Sequence, residues 1–448
     1  MKVIHLTLSD TNGGAARAAY RIHHCLRSTG IDSRMWVNKV VAGDSTVKGP
    51  ETKLEKLMTA VRPRLVGPLL WLLKTENPII HSPSVLPSKW RDRVNASDAD
   101  IVHLHWVQGE MLSIADIGRI KKPLVWTLHD MWAFCGAEHL AWGDRWREGY
   151  KRGNRPSSET GFDLNRWTWQ RKLKHWDLPI HIVTPSRWLA DCVRHSALMR
   201  EWQVTVIPNP IDTDLWRPLD RKLARELLRL PQDVPLIIFG TMGENAAHHK
   251  GFDLLTKALE HVRDDPRAQG LELVVFGHSI SQSPRDLGFP THYTGHLHDD
   301  LSLRVLYSAA DVMVIPSRQD NLPNTGVEAH SCGTPIVAFD IGGLPDIVEH
   351  ERTGYLAKAF DTEDLARGIL WVLGRTTPKP AVSGLGVRGP RDDQTMPSLQ
   401  GIQGVVAIHQ TEGFETDIRA AARSRALERF SQQIVSAAYK SVYEKHTS

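Results

Sequence analysis

No stretch of this sequence is apolar for long enough to cross a bilayer. The longest run, LVGPLLWLL from Leu65, falls well short of the roughly 20 residues that a spanning helix needs, and no export signal is read in MKVIHLTLSD. Cysteine is scarce too. Cys25, Cys135, Cys192 and Cys332 stand apart without C-x-x-C spacing, which excludes a disulfide framework or a zinc knuckle and suits a reducing cytoplasm. Charge of one sign is hardly in excess: a formal net charge of +4 is too weak for a nucleic-acid partner, but suits anionic ligands or an acidic membrane face. The first β–α turn, DTNGGAARA, lacks the G-x-G-x-x-G spacing of NAD-linked dehydrogenases.

What is present is ordinary globular material in quantity. The 448 residues are 41% hydrophobic and 24% charged, enough for two lobes with separate cores and too apolar for disorder. Short apolar runs, KVIHLTL, DIVHLHW, LVWTLHD, IHIVTPS, PLIIFGTM, LELVVFG, DVMVIPS and TPIVAFD, alternate with helical patterns. Such runs predict parallel sheets covered on both faces, that is, two Rossmann-like doubly wound α/β lobes. The prolines of VIPNPIDTDLWRPLDRKLARELLRLPQDVP place a linker near 212–234. The expected division is 1–215, then 216–425 with an irregular Pro/Gly-rich insert at about 376–416, then a helix over 426–448 that returns to the N-terminal lobe, with Ser431 capping between the last two helices.

Ligands of doubly wound sheets sit beyond the carboxyl ends of the strands. There the sequence places Gly13 and Gly14 after the first strand, His105 and His129 at the ends of two others, Lys250 before a helix of the second lobe, and the acids Asp320 and Glu328 in SRQDNLPNTGVEAHSCGTPIVAF. Each has a plain reading. Thr325 and Glu328 have capping-box spacing, Lys250 suits a solvated loop, the glycines suit helix packing, and a single histidine suits a core. Each also has a ligand reading: a helix start attracts a diphosphate, a lysine neutralises it, and a carboxylate accepts hydrogen bonds from a ribose diol.

These residues, with VIPNPIDTDLW, HHKGFDLL, TPSRWLADC, TLHDMW and DIGGLPDIVEHERTGYL, make the chain resemble the retaining glycosyltransferases of family 4, which have the GT-B fold of two facing lobes. The resemblance spans residues 1 to about 375 and resumes in the last helices, and it suggests the glycan or exopolysaccharide-biosynthesis type. It implies that Asp320 and Glu328 stand at the two acidic positions of an E-x7-E signature, Asp320 shorter by one methylene, with Glu328 on the nucleotide ribose and Asp320 near the reacting face of the sugar. It implies that Lys250 grips the diphosphate, that His129 meets the donor sugar, and that Gly13 and Gly14 form the glycine-rich first loop. Catalytic roles thus fall to His129, Asp320 and Lys250, and donor binding to Gly13, Gly14, Lys250, Asn324, Thr325 and Glu328. A basic partner upstream of Lys250 is missing, with His248 and His249 nearest. Pro323 replaces a glycine and removes an amide donor, which leaves phosphate contacts to Asn324 and Thr325. Relatives' clustered cysteines are absent after Cys135, and the segment from Gly136 to Trp169 is assigned to acceptor recognition.

The expected reaction is transfer of a hexose from a nucleotide-sugar donor to a glycan or lipid-linked saccharide acceptor. No cofactor or metal is expected; the D-x-D of Asp212 and Asp214 falls at the interlobe crossing. The rivals are a non-catalytic sugar-nucleotide or partner-binding protein on the same fold, and a nucleotide-sugar epimerase or phosphorylase. A glycosidase suits two acids on one loop poorly. Expected partners are the nucleotide sugar, the acceptor and, through the basic segment 53–74 with Trp71, a peripheral contact at the inner membrane face of a cytoplasmic protein; the other reading of that segment is an ordinary packed helix broken at Pro68.

Overall fold

A computed structural model describes residues 1–240, 249–277, 287–297, 299–376 and 418–447. The insert expected at about 376–416 falls almost wholly outside these residues, and His248 lies outside them too. Fifteen strands are described: β1 (Lys2–Ser9), β2 (Asp32–Lys39), β3 (Val47–Lys48), β4 (Leu73–Lys74), β5 (Ile101–Leu104), β6 (Leu124–Thr127), β7 (Thr160–Gly161), β8 (His181–Thr184), β9 (Val204–Val206), β10 (Leu236–Gly240), β11 (Glu272–Phe276), β12 (Thr291–Gly295), β13 (Val312–Ile315), β14 (Ile336–Phe339) and β15 (Gly354–Ala357).

They form two large sheets and one small antiparallel pair, β4 with β7. The first sheet has the order β3-β2-β1-β5-β6-β8-β9 and the second β12-β11-β10-β13-β14-β15, and every pairing in both is parallel. The reason is composition. Runs such as IVHL, HIVT, VMVI and IVAF are buried along their whole length, and a strand buried on both faces needs helices above and below, as parallel crossovers provide. In each sheet the chain winds outward from a central strand, returns, and winds the other way, so the order reverses between β1 and β5 and again between β10 and β13.

The chain crosses between the lobes twice. The first crossing follows β9, and the stretch read as a linker contains a helix at Arg221–Leu227. The second lies between helices Ile418–Phe430 and Gln432–Thr447. The two crossings touch: Ile211 pairs with Ser431 as a parallel bridge, and the Ile211 N–H donates to the Phe430 carbonyl at 2.8 Å. Val435, Tyr439, Val442 and Tyr443 of the last helix then join the apolar cluster of β1 and the first helix, Gly14–Ser28.

The segment with the long apolar run departs from the packed-helix reading. Helix Lys53–Leu65 and helix Gly67–Trp71 contain no buried residue. Arg62 holds the first of them to the lobe by donating to the carbonyls of Leu86, Pro87 and Glu110, while Leu54, Leu57, Leu65, Trp71 and Leu72 face outward.

One buried ion pair ties the base of the second lobe. Asp311, just before β13, accepts from Arg225 at 2.7 Å, from Arg221, and from the Leu236 N–H at 2.8 Å, and Arg225 is itself buried. Asp311→Ala leaves that guanidinium buried without a counter-charge among the described residues, held only by the carbonyls of Ala309, Pro231, Gln232 and Val234, and urea unfolding is expected to show a loss of about 3–5 kcal/mol; a loss below about 1 kcal/mol would mean that the pair adds little to the lobe.

Candidate active site

Where the order of a parallel sheet reverses, neighbouring loops leave to opposite faces and a crevice opens between them. In the second lobe those loops carry Lys250 and Asp320. They meet directly: Lys250 Nζ donates to Asp320 Oδ2 at 2.7 Å, and Ser317 Oγ donates to the same oxygen at 3.2 Å. Gly251 makes this approach workable. It has φ +67°, and a Cβ there would lie 1.9 Å from the Pro316 carbonyl oxygen. The acidic loop is pinned from its other side by the DIGGLP turn, where the Gly343 N–H donates to the Asp320 carbonyl at 3.0 Å and a Cβ on Gly343 would lie 1.5 Å from the Asn321 carbonyl.

The helix after this loop, Asn324–Ser331, begins at Pro323 as N-cap with no side-chain cap. The capping-box reading of Thr325 and Glu328 is therefore set aside. Glu328 is 2% exposed, and its carboxylate is committed elsewhere: Oε1 accepts from Arg21 of the first helix at 2.6 Å, and Oε2 from the Tyr307 hydroxyl at 3.0 Å. Burial works against the Arg21 charge, but Glu328 and then Asp300 together raise the guanidinium above its ordinary value. Burial, then Glu328, pushes the Tyr307 hydroxyl well up, keeping it a donor. First-turn amides of a helix have no intrahelical acceptor, and the N-cap residue Pro323 offers them no side-chain acceptor.

The first lobe supplies the opposite wall. Gly13 is the N-cap of its first helix, and the Gly14 carbonyl accepts from Asn324 Nδ2 at 3.0 Å. Asn209 donates to the Asn324 side-chain oxygen at 3.1 Å, and Ser186 to that of Asn321 at 2.6 Å. Asp10, fully buried, holds the loop after β2 through the N–H groups of Val41 and Ala42.

Between these walls lies a cleft of about 310 Å³ whose lining includes Gly13, Gly14, Lys250, Asp320, Asn324, Thr325 and Glu328. His129 is not among its lining residues. It sits at the lobe junction, where its carbonyl accepts from Asn321 Nδ2 at 3.2 Å and its Nε2 lies 3.2 Å from His105 Nδ1. Burial lowers its pKa to about 4 despite the nearby Asp130.

Asp212 accepts from the N–H groups of Asp214 and Leu215, a local turn. Among the described residues, the groups whose ligand atoms cluster closely enough for a metal are His5 with His103 and His105, and His23 with His24 and Asp44. His23 and His103 already engage both ring nitrogens with hydroxyl groups.

Sequence reading missed Arg21, Tyr307, Asn209, Ser186 and Asp10. Asp10 and Ser186 stood in reach, each just past a strand. Nothing local marks Arg21, whose partner lies 307 residues away, and Tyr307 reads as one more buried aromatic of its helix. Gly251→Ala should cost at least about 1–3 kcal/mol of unfolding free energy through backbone strain, to which the clash with the Pro316 carbonyl adds, whereas Gly14→Ala, whose new Cβ meets only Asn324 Nδ2 at 3.9 Å, should stay within about 0.5 kcal/mol; equal costs in denaturant titrations would contradict this placing of the two glycines.

Comparison with known proteins agrees with this architecture. The model described as Glycosyltransferase Family 4 matches residues 12–215, and that described as Glycosyl transferases group 1 matches residues 235–375. A D-inositol 3-phosphate glycosyltransferase of Xylanimonas cellulosilytica is 33% identical over 36% of this chain and 40% of its own length, and one of Geodermatophilus obscurus is 32% identical over 62% and 60%. The chain thus spans less than two thirds of the curated relatives it matches. Among solved structures, Anabaena HepE in complex with UDP-glucose superposes with TM-score 0.62 at 16% identity, covering 99% of this chain and 100% of that one. Sucrose-phosphate synthase from Thermosynechococcus elongatus gives TM-score 0.61 at 16% identity, covering 99% of each chain. Two facing parallel-sheet lobes with this strand order, each matched by its own family model, identify a GT-B fold, and the chain belongs to the family 4 glycosyltransferases.

Proposed function

We propose that this chain is a retaining hexosyltransferase that moves a hexose from a nucleotide-sugar donor to a glycan or lipid-linked saccharide acceptor, without a metal ion. The observation that carries the reading is the single cleft into which the glycine-rich first loop, Lys250, the uncapped helix start at Asn324 and Thr325, and the carboxylates of Asp320 and Glu328 all converge. Breaking a sugar–diphosphate bond builds negative charge on the leaving group, and preorganised positive potential lowers that barrier. Lys250 and the amides of Asn324 and Thr325 supply it. A diphosphate reaching Lys250 replaces Asp320 as its partner, which frees the Asp320 carboxylate to face the positive charge growing on the sugar. Glu328, held by Arg21 and Tyr307, keeps lone pairs for the ribose diol. The acceptor attacks from the leaving-group side, and a phosphate oxygen of the departing diphosphate takes its proton. The relatives' printed name, D-inositol 3-phosphate glycosyltransferase, and the UDP-glucose held by HepE support a nucleotide-sugar donor and guide the choice of probes.

The outward face of helices Lys53–Leu65 and Gly67–Trp71 supports a peripheral membrane contact. Trp71 is 80% exposed beside Leu57, Leu65 and Leu72, and Lys53, Lys56 and Arg64 give that face the charge that anionic lipid attracts.

Lys250→Ala should lower kcat about 10²–10³-fold, and Glu328→Ala should raise the donor KM, in an assay of nucleoside diphosphate released from a panel of nucleotide sugars with and without acceptor. Chelator should leave the rate unchanged. Wild-type turnover in both variants, release that no acceptor increases, or formation of an altered nucleotide sugar would overturn the assignment. In flotation with vesicles containing phosphatidylserine, the protein should bind and the Leu57→Asp/Trp71→Asp variant should bind at least about tenfold less; equal binding by the two would remove the membrane face.

A further inference from the structure

Behind His129 runs a row of imidazoles that a core of this kind does not require. His5 on β1 stands beside His103 on β5 in the parallel ladder, and His105 follows β5; His5 and His103 are 0% exposed and His105 is 1% exposed. His5 Nδ1 lies 2.9 Å from His105 Nε2, and His105 Nδ1 lies 3.2 Å from His129 Nε2. Both are N–H···N distances, and each needs one ring as donor and the other as acceptor. His103 faces His5 and His105 but does not enter the row, because its nitrogens engage the Tyr443 hydroxyl at 2.7 Å and the Thr127 hydroxyl at 2.7 Å.

Burial holds His5 and His105 far below the usual histidine range and brings His129 to about 4. At neutral pH each ring of the row is therefore neutral and carries one N–H, so the two bonds can run in only two directions. If they run inward, His129 and His105 donate from Nε2, and His5 must carry its proton on its own Nε2. That atom is buried and has no hydrogen-bond partner among the described residues. An unsatisfied buried N–H is among the rarest and costliest groups in a folded protein. If they run outward, His5 Nδ1–H donates to His105 Nε2, and His105 Nδ1–H donates to His129 Nε2. Only a bare lone pair then remains at the blind end.

From this geometry we infer that His5, His105 and His129 are all locked as Nδ1–H tautomers, so that His129 meets the lobe junction as a hydrogen-bond donor, with His105 and His5 as its positioning residues. Resting on the proposed transferase reading, this assigns His129 a specific part. The donor-sugar contact that the family resemblance implies for His129 is then a bond donated from Nδ1–H. His129 cannot take the acceptor's proton, because Nδ1 already carries one, Nε2 is filled by His105, and the row ends without an outlet at His5. The acceptor hydroxyl proton must pass to the departing diphosphate.

Selective 15N-histidine labelling with long-range 1H–15N correlation at pH 7 reads the tautomers directly, His129→Gln assigning one set of signals and His5→Gln another. The expected pattern is a pyrrole-type Nδ1 and a pyridine-type Nε2 for His129, His105 and His5, the form that free histidine disfavours. His105→Leu should release His129 toward the Nε2–H form and raise the KM for UDP-glucose about tenfold, while His105→Asn, whose amide N–H reaches the place of Nδ1, should restore much of both. A pyrrole-type Nε2 on His129 in the wild-type protein overturns the inference, whatever the donor does. If the tautomers are as expected but UDP-glucose and GDP-mannose leave the His129 signals unmoved, the tautomer assignment stands and the donor contact falls.

Discussion

A parallel sheet that reverses its strand order must leave a gap at the reversal, because the two connections departing there go to opposite faces. In this chain the constraint acts twice, and the two gaps look at each other. At the reversal in the second lobe, the loop after β10 brings Lys250 and the loop after β13 brings Asp320. At the reversal in the first, the loop after β1 brings Gly13 and Gly14, and the end of β5 brings His105. Topology thus gathers residues that are far apart in sequence before any ligand is considered.

Electrostatics decides how the walls stand. Glu328 would be costly to bury alone, and it is buried because Arg21 from the other lobe and Tyr307 from its own share its two oxygens. Lys250 and Asp320 answer each other in the same way. The cleft is therefore held in balance, with Lys250, Asp320 and Glu328 each paired to a neighbouring charge or hydroxyl.

The fold was largely legible in the sequence because the central strands are unbroken apolar runs; all eight segments quoted for their β pattern contain strands. Strand β2, between β1 and the short edge strand β3, was not, since DSRMWVNK alternates half-buried and buried residues and lacks an unbroken apolar run. In the site, Lys250, Asp320 and Glu328 announce themselves by chemistry at strand ends. Arg21 does not, because an arginine on an Ala-rich helix looks like any solvated charge until the second lobe arrives 307 residues later. Thr325 and Glu328 misled for a local reason: their spacing fits a capping box, but Glu328 turns away to the interlobe pair. His5 could not be read at all, being one apolar-run residue among others until its ring meets His105.

The paired crossings carry a mechanical meaning. Because Ile211 and Phe430 are bonded side by side, the two connectors form one stitched seam rather than two independent tethers. A seam of that kind permits swinging about its own axis and resists sliding or shear. The cleft between the lobes thus has its spine at this seam, and the terminal helix, packed against β1 and the first helix, anchors the seam to the first lobe.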